Sequence, residues 1–97
     1  MANNSKQILD TVHDVEASNA LMEMYDVFPV RLRLARCDKW LTQNELAAET
    51  GIKPSSISQY ESGKNIPDIA RFVLLAHTLG VSLDWLCGLK KERGIHD

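Results

Sequence analysis

The most chemically informative stretch of the chain is Gln43 to Ser62, QNELAAETGIKPSSISQYES. Pro54, Ser55, Ser56, Ser58, Gln59 and Ser62 are small or amide-bearing, and none is charged. A helix face chosen only for solubility would be rich in Glu and Lys. Serine and glutamine can instead hydrogen-bond to base edges, and a glutamine amide pairs with adenine through two bonds in the major groove. The expected chemistry is therefore recognition of a nucleic acid without bond making. No nucleophile–base pair, carboxylate dyad or glycine-rich phosphate loop is recognisable, so an enzyme reading and a cofactor have no support. His13, His77 and His96 share no ligand spacing, and Cys37 and Cys87 make no metal or redox pattern. No metal is expected. The two cysteines read as a small surface residue and a small core residue.

The elements that position this face follow from local signals. Thr42 with Glu45 matches a capping box, which starts a short helix running to Thr50. Gly51 suits the left-handed conformation that ends it. Pro54 fits the first position of the next helix, which stops before Gly63. Ala47 lets the two axes approach closely, and Ile57 packs back on Ala47 and Leu46. Two short helices joined by a glycine-bearing turn make a helix-turn-helix. Upstream, Pro29 is expected to open a first core helix to about Lys39, with Leu32, Ala35 and Arg36 in its pattern. Downstream, Asp68 caps a fourth helix whose expected apolar face is Ile69, Phe72, Val73, Ala76 and Leu79. Ser82 caps a fifth, with Leu83, Leu86 and Cys87 facing inward. Phe72 and Trp85 read as core, and Trp40 as half-buried packing. The fold expected is all-α, five helices and no strands.

Outside this body, residues 1–7 are polar. Ile8, Val12, Val15 and Met22 form one helical stripe, and Leu21, Tyr25 and Phe28 a second. The expected organisation is a helical arm over 1–27, a domain over 28–89 and a flexible tail over 90–97, loosely held from Gly88. Residues 1–27 carry one lysine against five acidic residues, whereas 28–88 carry seven basic against six. An acidic arm thus precedes a nearly neutral body. The overall charge of −2 is low for a nucleic-acid binder, yet a small footprint needs only a few donors. At 97 residues the chain is one domain's worth, with no room for a separate catalytic or sensing unit beside a normal core. No secretory signal or membrane-length apolar run is read, so a cytoplasmic protein with reduced thiols and no membrane contact is expected.

The run LTQNELAAETGIKPSSISQYESGKNIPDIARFVLLAHTLGVSLDWLCGL resembles the Cro/CI-type (XRE-like) helix-turn-helix proteins. The order T-Q-x-E-L-A, G, I-S-x-Y-E-x-G-K-x-x-P, L-A-x-x-L-G-V-S-x-D-W-L carries that resemblance over roughly residues 28–89. It implies a five-helix, lambda-repressor-like DNA-binding domain. It implies that Pro54, Ser55, Ser56 and Gln59 read bases, and that Gln43, Ser62, Lys64 and Asn65 hold phosphate. Arg36 and Glu61 would be a structural ion pair, and Leu83, Trp85 and Leu86 would lie on the helix that helps some relatives dimerise. Two residues depart from the pattern. Lys53 stands where Ser or Thr usually caps the recognition helix. Trp40 fills a place often held by Gly, so a different turn before Thr42 is expected. The function so implied is a sequence-specific transcriptional regulator, a repressor of phage, mobile-element or bacterial origin. It would bind double-stranded DNA as a homodimer through helix 82–88 or the arm. The alternative is an antitoxin or antirepressor, a protein-interaction module on the same domain.

Overall fold

The computed structural model describes residues 14–93. Five helices follow one another: α1 Val15–Asp38, α2 Gln43–Thr50, α3 Pro54–Ser62, α4 Ile69–Leu79 and α5 Leu83–Leu86. Each of the caps read from sequence is in place. Thr42 and Glu45 make a reciprocal capping box, and the side chains of Asp68 and Ser82 accept the Arg71 and Trp85 N–H groups. These caps satisfy donors that a helix start leaves unpaired.

The core is one cluster. Phe28, Leu32 and Ala35 of α1 meet Leu46 and Ala47 of α2, Ile57 and Tyr60 of α3, Phe72, Leu75, Ala76 and Leu79 of α4, and Trp85 and Leu86 of α5. Phe28 is its hub. Its ring centroid lies 4.7 Å from that of Phe72 and 6.4 Å from that of Tyr60, so it joins α1, α3 and α4. On α4, Leu75 is buried whereas Ile69 and Val73 are exposed, which corrects the expected face. The stretch IARFVLLAHTL is so apolar that its pattern alone leaves the phase open.

Pro29 does not start a helix. It lies inside α1, which begins at Val15 behind an Asp14 cap and runs unbroken into the core. A proline within a helix removes one backbone bond and costs about 3 kcal/mol when nothing offsets it. Here packing on both sides offsets it. Met24 and Phe28 lie on the core before it and Leu32 after it, while the Pro29 ring approaches Gly63 at the end of α3. The described part of the arm and the first core helix are therefore one element. Leu21 and Tyr25 are half-buried, while Val15 and Met22 point to solvent; Ile8 and Val12 lie outside the described residues.

Two further expectations are corrected. Trp40 is 92% exposed, not half-buried, and has φ of +60°. It makes the left-handed turn a glycine would make, because Trp40 N–H binds the Cys37 carbonyl and Leu41 N–H the Arg36 carbonyl. Those bonds fix the backbone, Leu41 turns onto the core, and the indole is left outside. The segment after Gly88 is also held, as far as Arg93. Arg31 donates to the carbonyls of Trp85 and Lys90 at 2.6 and 3.1 Å. Arg93 pairs with Asp38, its carbonyl accepts the Ser82 N–H, and its guanidinium sits 5.0 Å from the Trp85 ring centroid. Residues 94–97 lie outside the described residues. Gly88, at φ +91°, allows this closure: a Cβ there would lie 2.9 Å from Val27 Cγ2.

Candidate nucleic-acid interface

The turn between α2 and α3 is set by Gly51 at φ +76°, where a Cβ would meet nothing, so conformation and not space demands glycine. Thr50 closes the same turn. Its hydroxyl donates to the Leu46 carbonyl at 2.8 Å and accepts the Ile52 N–H at 3.2 Å. Sequence reading missed Thr50, although a hydroxyl directly before the terminal glycine was a usable signal. Ile52 within the turn and Ile57 on α3 are then both buried.

The start of α3 is a weak anion site. Lys53 makes no side-chain cap and Pro54 has no N–H. The start of α2 is stronger. Its capping box consumes the N–H groups of Thr42 and Glu45, while those of Gln43 and Asn44 find no acceptor among the described residues. Phosphate-type contacts therefore suit α2, and the small, neutral Pro54, Ser55 and Ser56 that follow Lys53 suit base edges. Pro54, Ser55, Ser58 and Ser62 are exposed; Ser56 and Gln59 are half-buried.

Arg36 and Glu61 tie α1 to the last turn of α3. Arg36 Nε donates to Glu61 Oε2 at 2.6 Å, Nη2 to Oε1 at 2.9 Å, and Nη1 to the Leu41 carbonyl at 2.7 Å. Glu61 is 4% exposed at its side chain and Arg36 13%. The hydrogen bond to Glu61 raises the guanidinium's already high pKa, opposed by burial. Glu61 Oε1 also accepts from Gln43 Nε2 at 3.1 Å, so the same carboxylate orients the amide at the start of α2.

The end of α3 is likewise joined to the loop after it. The N–H groups of Lys64 and Asn65 both reach the Gln59 carbonyl. Asn65 Nδ2 donates to Gln59 Oε1. The Ser62 hydroxyl donates to the Gln59 carbonyl at 3.1 Å. Gln59 is thus held by three of the residues that the resemblance gives to phosphate, Ser62, Lys64 and Asn65, and the Lys64 side chain is exposed beside it. The sequence placed these residues near one another but gave no sign of the amide–amide bond. Leu83 is half-buried, while Trp85 and Leu86 are committed to the core.

Among the described residues no group of His, Cys, Asp and Glu could hold a metal, and no helix is long and apolar enough to cross a membrane. Comparison with known proteins matches residues 32–86 to a family described as helix-turn-helix. The chain is 39% identical over 61 residues to the cryptic phage CTXphi transcriptional repressor RstR of Vibrio cholerae, covering 61% of this chain and 54% of that one. It is 39% identical over 62 residues to the HTH-type transcriptional regulator YobD of Bacillus subtilis, covering 64% and 55%. It is 42% identical over 52 residues to multiprotein-bridging factor 1 of Candida albicans, covering 54% and 34%. The matched stretch thus spans about half the length of the first two and a third of the last.

Proposed function

The chain belongs to the helix-turn-helix family of DNA-binding transcriptional regulators, and from that premise we propose that it is a sequence-specific repressor. Helix α3 enters the major groove of a partly palindromic operator. Ser55, Ser56 and Gln59 face the bases beside Pro54, while Gln43, Ser62, Lys64 and Asn65 grip the backbone. The observation that carries this reading is the uncharged, small outward face of α3, fixed in orientation by the Arg36–Glu61 pair. Similarity to a phage repressor supports the sign of regulation. The protein acts as a homodimer in the cytoplasm. Trp85 and Leu86 are already spent on the core, so the apolar groups that α1 and the segment after α5 hold open to a second copy are Val15, Met22, Val30, Leu34 and Leu89.

Selection of binding sites from random duplexes with the full chain tests the proposal. An enriched motif with two half-sites about one helical turn apart is expected. Gln59→Ala should relax preference at one position per half-site. Lys64→Ala should weaken binding to every sequence alike and lower the salt dependence by about one unit. A chain that enriches no motif is not a sequence-specific regulator. The second reading, an antitoxin or antirepressor, is favoured by the exposed indole of Trp40, which suits a protein partner.

A further inference from the structure

Where α1, the start of α2 and the end of α3 converge lies a cavity of about 350 Å³. Arg33, Arg36, Gln43, Ser58, Glu61 and Ser62 line it. Pro29 against Gly63 and Arg36 against Glu61 lay α1 along the end of α3, while the Glu61–Gln43 bond draws in the start of α2. The charges in the cavity are unequal in availability. Arg36 and Glu61 neutralise one another, and Glu61 spends its two oxygens on three donors. Arg33, one turn before Arg36, is exposed and has no ion-pair partner among the described residues. The cavity therefore carries one uncompensated positive charge. Around it stand the Gln43 amide, which gives one N–H to Glu61 and keeps a second, the Ser58 hydroxyl, the Ser62 hydroxyl that donates to the Gln59 carbonyl, and the Gln43 backbone N–H, which has no acceptor among the described residues.

We infer that Arg33 is a further, charge-neutralising contact to the DNA phosphodiester that Gln43 and Ser62 would hold at this cavity. This rests on the DNA-binding reading above. The donor set suits a singly charged, tetrahedral group with several acceptor oxygens. One guanidinium matches its charge, and neutral donors of the protein complete its hydrogen bonding without further cost in charge. Glu61 does not repel the group as a free carboxylate would, because Arg36 and Gln43 cover both its oxygens. Arg33 thereby completes the backbone grip on the α2 side of the recognition helix, opposite Lys64 on the far side.

The test uses the full chain and two end-labelled duplexes of about twenty base pairs, one of random sequence and one carrying a selected site. Each is titrated across a salt series with wild type, Arg33→Gln, Arg33→Lys and Lys91→Gln. Replacing one phosphate-neutralising cation lowers the slope of log affinity against log salt by about 0.9 on B-form DNA. Arg33→Gln should show that loss on both duplexes, Arg33→Lys should restore it, and Lys91→Gln should leave the slope unchanged. Because Arg33 is exposed, thermal melts of all four proteins should coincide. Normal binding by Arg33→Gln with an unchanged slope overturns the assignment of Arg33 and leaves DNA binding standing. Failure of the wild type on both duplexes at low salt overturns the DNA-binding reading, and this inference with it.

Discussion

Glu61 joins three helices through one carboxylate: it anchors α1 through Arg36 and orients Gln43 of α2. Removing one member of such a pair strands a charge, which costs about 3–5 kcal/mol at a buried site. Arg36→Met and Glu61→Leu should each lower stability sharply, and the double mutant should lose much less than their sum. Thermal melts of the four proteins give the coupling, and strictly additive losses would count against it. Tyr60 offers a test in pH. Burial raises its phenol pKa, with the nearby Arg71 opposing. The folded chain thus holds the phenol proton more tightly than the unfolded one, where it leaves near pH 10. Its stabilising share is complete below about pH 10 and drains away as pH climbs through the folded value. In urea melts taken from about pH 9 to 11, Tyr60→Phe should decline less steeply than wild type. Equal declines would show that Tyr60 is not the group responsible. Trp40 supplies a third test. A bulky residue in the left-handed region costs about 1–2 kcal/mol, and an indole 92% exposed gains little packing in return. Trp40→Asn should raise the melting temperature; a fall would reveal packing that its exposure does not show.

At the scale of elements, α2 and α3 were legible because their signals are local. A capping box, a glycine at the turn, a proline at the first position and Gly63 at the end each act within a few residues. The true start of α1 was not legible. Whether a helix tolerates Pro29 depends on what packs against it, and Gly63, Phe72 and Tyr60 are far away in sequence. For the same reason Arg33 could not be recognised as part of a site. Its neighbours arrive from two other helices. A chain of residues 28–97 separates the contributions of α1. It retains Phe28, Leu32 and Ala35, but loses Met24 from the core and Val27 from Gly88. We expect it to fold with the same helical signature by circular dichroism, less stably by about 1–3 kcal/mol, the scale of one apolar side chain's burial. An unfolded product would make the second half of the arm indispensable to the fold. Gly88→Ala in the full chain should destabilise as well, because it adds both a left-handed residue and a clash with Val27.

Across the whole molecule, the anchoring of the recognition helix reaches further than the helix-turn-helix itself. Pro29 and Arg36 of α1 touch its end, and α1 is in turn held by the Arg31–Trp85 and Asp38–Arg93 contacts of the C-terminal segment. The caps and core types were readable along the chain, and the resemblance implied the Arg36–Glu61 pair; the Pro29–Gly63, Arg31–Trp85 and Asp38–Arg93 closures were not, since each joins residues that no periodicity relates. One consequence is optical. The chain's two tryptophans occupy opposite environments: Trp40 stands in solvent three residues before Gln43, and Trp85 is enclosed with the guanidinium groups of Arg31 and Arg93 near its ring. Iodide should therefore quench the emission of one indole and spare the other until the domain unfolds. The accessible indole becomes a built-in reporter of events at the start of α2, and the shielded one records whether the C-terminal segment is still in place.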